Sequence, residues 1–425
     1  MKEKILNPGD KVNLQTRERE WEGYVLESYD PEIILLKLNS GYNIGIREDE
    51  ILNVKVLEKA KQYKKEIKIE KNEKLPNVAL IITGGTISSR LDSKTGGVIS
   101  TDAEEILNIS PKIRKICNIS TIEKPFMKWS ENMSFQDWKI LAKKVEELIN
   151  KDEIKGIIIT HGTDFLHYTS SALAFFLGKL NKPVALTYSQ RSIDRGSTDA
   201  SLNLFCAAKY AVSDIAEVVL VGHKDLNDNT CLAMPGTKVR KMHTSRRDTF
   251  KIINSQAFAE ISEKEFKILR EFNARNNNKL IADAVGNENI ALIKIYPGQD
   301  PDIIDYYFQK GYKGLVLELT GIGQVPTQDA KYNWLPKIKK AIDAGMVICG
   351  ACQTLYGRLN SKVYSAGRDL EKTGLIFLED ILPETAFVKL GWVLGHKEWI
   401  RENKIKEKML HNFAGEFNKR LEFEF

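Results

Sequence analysis

Two short turns hold the residues best suited to chemistry, Thr83-Gly84-Gly85-Thr86-Ile87 and His161-Gly162-Thr163-Asp164. Each sets a threonine beside glycine, and each follows an apolar run. Glycine tolerates positive φ and lets backbones approach closely, so amide N–H groups and a hydroxyl can converge on one carbonyl. That arrangement suits acyl transfer. A phosphate-binding loop is the rival for a glycine-rich turn after a first strand, but no Gly-Lys-Ser/Thr follows Gly84-Gly85. Gly321-Ile322-Gly323 likewise lacks the third glycine of a dinucleotide fingerprint. Taken alone, a Gly-Gly-Thr turn is as readily structural as catalytic.

Such turns need strands to present them. Apolar runs at 78–82, 154–160, 183–187, 217–221, 290–296, 314–320 and 346–349 alternate with helical periodicity, which predicts parallel α/β sheets. Ligands bind beyond the carboxyl ends of strands in such sheets, where both turns fall. Residues 134–150 predict a helix capped by Ser134, with Phe135, Trp138, Leu141, Val145 and Leu148 as a core stripe. Ahead of this, residues 1–54 read as short strands punctuated by Asp30-Pro31 and Ser40-Gly41, a small β-barrel. The expected organisation is that barrel, a Lys/Glu-rich connector over 55–76, a large α/β domain over 77–280, and a smaller α/β domain over 287–425 with a C-terminal helical extension.

Composition narrows the function classes. A hydrophobic fraction of 42% and a charged fraction of 28% over 425 residues describe a soluble multidomain protein. No stretch reaches the ~18 apolar residues of a membrane helix, and Met1 to Asp10 carries no signal-peptide run, so a cytoplasmic protein without membrane contact is expected. Five cysteines argue against a disulfide framework. Cys349-Gly-Ala-Cys352 has no second pair to complete a zinc ribbon, and His161 and His167 form no HExxH, so no metal site is expected. The net charge of +6 is too mild to announce nucleic-acid binding. Residues 1–75 balance 15 basic against 15 acidic side chains, whereas 235–251 carry six basic residues against Asp248 alone.

The two turns together resemble the motifs of the L-asparaginase/glutaminase family, and the likeness runs from about Val78 to Leu394. It implies an asparaginase-like fold of two α/β domains with parallel sheets. It also implies that Thr86 is the nucleophile, assisted by Thr163, Asp164 and a later lysine, here Lys241 in Gly236-Thr237-Lys238-Val239-Arg240-Lys241. Ser130 and Glu131, in Trp129-Ser130-Glu131-Asn132, match the segment that binds the substrate's α-carboxylate and α-amino group, with Gly85 and Gly162 beside them. A threonine hydroxyl is a weak nucleophile until a base takes its proton, and a lysine serves only if burial or a cationic neighbour depresses its pKa. Asp164 would orient the lysine or the substrate's amino group, or cap the following helix. Family hydrolases carry a tyrosine in the loop spanning 88–100, and this sequence has none, which implies slow turnover as a free hydrolase.

Further segments are similar to the tRNA-dependent branch of the family: Ser189-Gln190-Arg191-Ser192 with Asp194-Arg195, Tyr356-Gly357-Arg358 with Val363-Tyr364, and Pro383 to Leu390. The added barrel agrees. That branch implies ammonia release from glutamine or asparagine for conversion of Glu-tRNA(Gln) to Gln-tRNA(Gln). It also implies a kinase-like transferase partner that holds ATP and Mg, no cofactor in this chain, and a homodimer within a heterotetramer. The competing expectations are a free cytosolic asparaginase and a non-catalytic RNA-binding scaffold.

Overall fold

Strand alternation builds the N-terminal sheet. In this computed structural model, which describes residues 6–26, 28, 30, 32–38, 40, 42–59, 72–91, 98–100, 108–193 and 196–421, β1 (Lys11–Thr16), β2 (Glu20–Leu26), β3 (Ile33–Leu38), β4 (Asn43–Arg47) and β5 (Ile51–Glu58) pair in the order β4-β3-β2-β1-β5. All pairings are antiparallel. Val12, Leu14, Val25, Leu36 and Ile46 turn inward to form a small core, and register shifts in β1 against β5 bend the sheet around it. The sheet runs on to Glu58, past the expected start of the connector at 55. Residues 60–71 of that connector lie outside the described residues.

The large sheet joins β6 (Asn77–Ile82), β9 (Asn118–Glu123), β10 (Ile154–Thr160), β11 (Val184–Thr187), β12 (Val218–His223), β13 (Thr230–Pro235), β16 (Ala259–Ser262) and β17 (Phe266–Ile268) in the order β17-β16-β13-β12-β11-β10-β6-β9. From β9 to β12 it is parallel, and from β13 outward antiparallel. The sheet is therefore mixed, because a short turn after β12 returns the chain directly as β13. A two-stranded hairpin, β7 (Ser89–Leu91) with β8 (Val98–Ser100), follows the first turn, and a second, β14 (Val239–Lys241) with β15 (Phe250–Ile252), projects between β13 and β16.

Continuous apolar strands require cover on both faces. Ala79 and Ile81 of β6 face the core shared with α1 (Phe135–Ile149) and α2 (Leu166–Leu177), whereas Val78, Leu80 and Ile82 face the core shared with α3 (Ala200–Ala211). The expected stripe on α1 is buried throughout, and Asp137 accepts hydrogen bonds from the Ser134 N–H (2.9 Å) and hydroxyl (3.1 Å) at its start. The smaller unit has a parallel sheet, β18 (Ile290–Lys294), β19 (Gly314–Leu319), β20 (Val347–Cys352) and β21 (Ile376–Phe377), in that order. Its helices are α4 (Asp302–Gln309), α5 (Leu335–Asp343), α6 (Ser365–Lys372) and α7 (Pro383–Gly395), followed by the short α8 (Lys397–Arg401) and α9 (Ile405–Leu410). Cys349 and Cys352 sit three apart on β20, so they point to opposite faces: Cys349 joins the core shared with α2 and α7, and Cys352 the core under α4 and α5. Both are free thiols.

Helix α7 joins the two units. Its residues Ala386, Val388, Leu390 and Val393 pack in the core that includes α2. At its end His396 stacks on Trp399 at 3.6 Å, lies 2.9 Å from the Trp392 carbonyl through Nδ1, and reaches Asp283 Oδ2, in the segment between the units, at 2.8 Å through Nε2. Burial opposes charge on this imidazole, but the Asp283 carboxylate and the Trp392 carbonyl outweigh it and hold its pKa above the ordinary value. A raised folded-state pKa contributes stability that is complete below the unfolded value of about 6.5 and fades as pH rises through the folded value. The Tm deficit of His396→Gln relative to the parent should accordingly be larger at pH 6 than at pH 8.5. Thermal unfolding scans at the two pH values check this, and equal deficits would rule out the charged bridge.

Candidate active site

The site begins with two neighbouring strand ends. β6 and β10 run parallel with Ile82 opposite Thr160, so both turns leave the sheet at the same edge. The Thr83 N–H and hydroxyl both donate to the Thr160 carbonyl, at 3.1 and 2.9 Å. Beyond them the turns touch through backbone: a Cβ on Gly85 (φ +81°) would lie 2.3 Å from Gly162 Cα and 2.4 Å from its nitrogen. On the other side, a Cβ on Gly84 (φ +114°) would lie 2.4 Å from the Lys128 carbonyl oxygen. No side chain fits at either position without moving main chain. Thr86 follows at the head of a short 3₁₀ turn, half-buried, with Ile87 and Ser88 buried behind it.

Lys241 arrives from the β14–β15 hairpin. Its Nζ donates to Thr163 Oγ1 at 2.9 Å and to Asp164 Oδ1 at 2.7 Å, across 78 and 77 residues of sequence. The lysine side chain is only 14% exposed while the aspartate is 58% exposed, so the pair is open to solvent on the aspartate side. Thr163 is buried. Ser130 is also buried, under Gly162, and its Oγ accepts the Phe165 N–H at 3.2 Å at the entry to α2. Glu131, in the same short turn, is exposed and free of ion pairs among the described residues. The structure thus brings Thr163, Asp164 and Lys241 into direct contact, packs Gly85, Gly162 and Ser130 together, and sets Thr86 and Glu131 on the flanking turns.

Two histidines for which the sequence offered no metal role lie against this constellation. His161 is fully buried, with Nδ1 2.7 Å from the Gly162 carbonyl, and burial holds its pKa down to about 4. His167, in the first turn of α2, is pushed down to about 3 by burial and then by the charges of Arg240 and Lys241. Both stay neutral near pH 7, and each keeps one ring nitrogen, Nε2 of His161 and Nδ1 of His167, without a partner among the described residues. Among the described residues no group of three or more His, Cys, Asp or Glu is placed to hold a metal ion.

The other motif segments serve the same sheet edge or the joint between units. At the end of β11, buried Asp199 accepts the N–H groups of Gln190 (2.9 Å) and Arg191 (3.0 Å), fixing the 189–192 turn. Asp194 and Arg195 lie outside the described residues, as does the centre of the 88–100 loop, 92–97. Arg358 pairs with Glu379 and donates to the carbonyls of Asn418 and Lys419, tying the C-terminal segment down. Among the described residues no helix is long and apolar enough to cross a membrane.

A mixed sheet carrying paired Gly-Thr turns, with a lysine bridging the second, defines an asparaginase-type amidohydrolase. The family model for the asparaginase N-terminal domain matches residues 77–274, that for the glutaminase/asparaginase C-terminal domain 289–409, and that for the GatD N-terminal domain 6–57. The chain is 44% identical over 433 residues to the glutamyl-tRNA(Gln) amidotransferase D subunit of Thermococcus kodakarensis, covering 99% of this chain and 96% of that one. It is 43% identical over 434 residues to the corresponding protein of Pyrococcus furiosus, covering 98% and 96%. Among solved structures, the thermostable L-asparaginase of T. kodakarensis superposes with a TM-score of 0.70 at 28% identity, covering 81% of this chain and all of that one. L-asparaginase I of Vibrio cholerae follows at 0.69 and 25%, covering 81% and 99%. The chain belongs to the asparaginase/glutaminase family, in the branch of the glutamyl-tRNA(Gln) amidotransferase D subunits.

Because Thr163 and Lys241 share one hydrogen bond, removing either should disable the same step. Thr163→Val and Lys241→Met are each expected to lower kcat for amide hydrolysis by about 10²-fold or more, the scale of general acid–base assistance. The double variant should fall no further than the worse single one. Steady-state ammonia assays decide this, and additive losses would separate the two roles.

Proposed function

We propose that this chain is the ammonia-releasing component of a tRNA-dependent amidotransferase. Thr86 Oγ attacks the side-chain amide carbon of glutamine or asparagine. As the C–O bond forms and the C–N bond breaks, the hydroxyl proton passes through the Thr163–Lys241 hydrogen bond toward the leaving nitrogen. Water then hydrolyses the ester by the same route and restores Thr86. Asp164 holds the Lys241 side-chain nitrogen in place, Glu131 offers its carboxylate to the substrate's α-amino group, and Ser130 shapes the floor beneath Gly162.

The observation that carries this reading is the Lys241 bridge to Thr163 and Asp164, found in a chain that aligns over nearly its whole length with named D subunits. Ammonia would pass to a kinase-like partner that binds ATP and Mg and activates tRNA-bound glutamate, and this chain itself would need no cofactor. A homodimer within a heterotetramer, working in the cytoplasm, completes the proposal. The second reading, a free asparaginase, draws on the solved L-asparaginases that share the fold.

The two readings separate in a coupling experiment. Completion of the site by partner and tRNA would prevent wasteful release, provided the complex binds the closed state better than the open one. Ammonia release from glutamine is expected to be slow for the chain alone and to rise at least about tenfold with partner, Glu-tRNA(Gln) and ATP, which corresponds to ~1.4 kcal/mol off the activation barrier. Equal rates in all conditions would favour the free amidohydrolase.

A further inference from the structure

Lys241 sits on a three-residue strand whose hairpin is held from both units: the Ser170 hydroxyl donates to the Gly236 carbonyl at 2.7 Å and the Tyr188 hydroxyl to the Arg247 carbonyl at 2.8 Å from the large unit, while the residues just before the lysine are gripped from the smaller one. The Thr385 hydroxyl, in the first turn of α7, donates to the Thr237 carbonyl at 2.9 Å. Asp380, just ahead of α7, accepts Lys238 Nζ at 2.7 Å through its carboxylate, with both side chains at most 1% exposed. Glu384 Oε1 meets Arg240 at 3.0 Å, and its other oxygen is buried with no partner among the described residues. Three grips therefore fall on 237, 238 and 240, immediately before the lysine. Of the hairpin's distal cations, Arg246 and Lys251 pair with Asp248 inside the hairpin, and Arg247 pairs with Asp228 of the large unit.

Strand geometry turns these grips into a lever. Successive side chains point to opposite faces, so Arg240 reaches the smaller unit while Lys241 reaches Thr163 and Asp164 of the large one. Burying charged pairs at the joint is a costly way to hold two units together, and apolar residues would do so at least as well. What charge and hydrogen bonds add is a fixed geometry. A displacement of about 1 Å at a reacting group can cost on the order of 10²-fold in rate.

We propose that Arg240 and Glu384 are a positioning pair that sets Lys241 against Thr163, so that the smaller unit controls the rate of the reaction without touching substrate. This rests on the reading that Lys241 relays the proton. Movement of α7 is then transmitted through Glu384 and Arg240 to the lysine amine, and the smaller unit becomes the input by which a bound partner tunes ammonia release.

The test uses the full-length chain carrying Glu384→Gln, Arg240→Gln, both together, or Arg246→Gln as control, assayed for kcat and KM on glutamine and asparagine with Tm measured alongside. The expected result is a fall of about tenfold in kcat with KM within about twofold for each single variant. The double variant should be no worse than either single, and the control should match the parent. Arg240→Lys, altered at the partly exposed end of the pair, keeps the charge and should recover part of kcat; it also provides the reading if Glu384→Gln does not fold. Unchanged kcat with a lowered Tm, or a rise in KM alone, overturns the proposal. A parent that hydrolyses neither amide overturns the underlying reading and the proposal with it, whereas an active parent with unaffected variants overturns the proposal alone.

Discussion

Everything in the site depends on main chain meeting main chain between Gly85 and Gly162. The two turns stand on adjacent parallel strands, which fixes their separation to that of the sheet. Only the absence of two side chains lets them close further. Closure puts Thr86 and Thr163 on facing turns and presses Gly162 onto Ser130. An alanine at Gly85 would need a positive φ and would drive its methyl into the neighbouring backbone. The cost would be paid in the geometry of both turns.

Around that contact the large unit supplies rigidity and the smaller unit supplies reach. Strands β6, β10, β11 and β12 are buried on both faces, so their ends move little, and the histidines beneath the turns stay neutral and packed. Lys241 cannot come from those strands, because a side chain entering the cleft from opposite the turns must sit on something that folds back over them. The β14–β15 hairpin does this, and its root is bolted by α7 and by the C-terminal segment, where the Thr237 hydroxyl donates to the Ala414 carbonyl at 3.0 Å. The buried Lys389–Glu416 pair holds that segment in turn.

The central strands were legible because full burial leaves an unbroken apolar run: β10 occupies the expected 154–160, and β6 and β11 differ from expectation by one residue at one end. The edge was not. Strands β14, β15 and β17 are three residues long with polar residues among them, so no period can be counted, and β13's antiparallel return depends on a turn whose geometry composition does not fix. In the site, Thr86, Thr163 and Asp164 stood out through their glycines. Lys241 stood among six basic residues of one segment, and only family likeness singled it out. His167, Arg240 and Glu384 carried no local signal, since their meaning lies in contacts across more than 70 residues.

The claim that matters most is the identity of the nucleophile. Rapid quenching of the enzyme during turnover of asparagine or glutamine, followed by peptide mass spectrometry, locates the acyl group directly. The account predicts the added mass on the peptide containing Thr86, and its disappearance in Thr86→Val with the fold intact. An acyl group found on Thr163, or retained turnover by Thr86→Val, would contradict it.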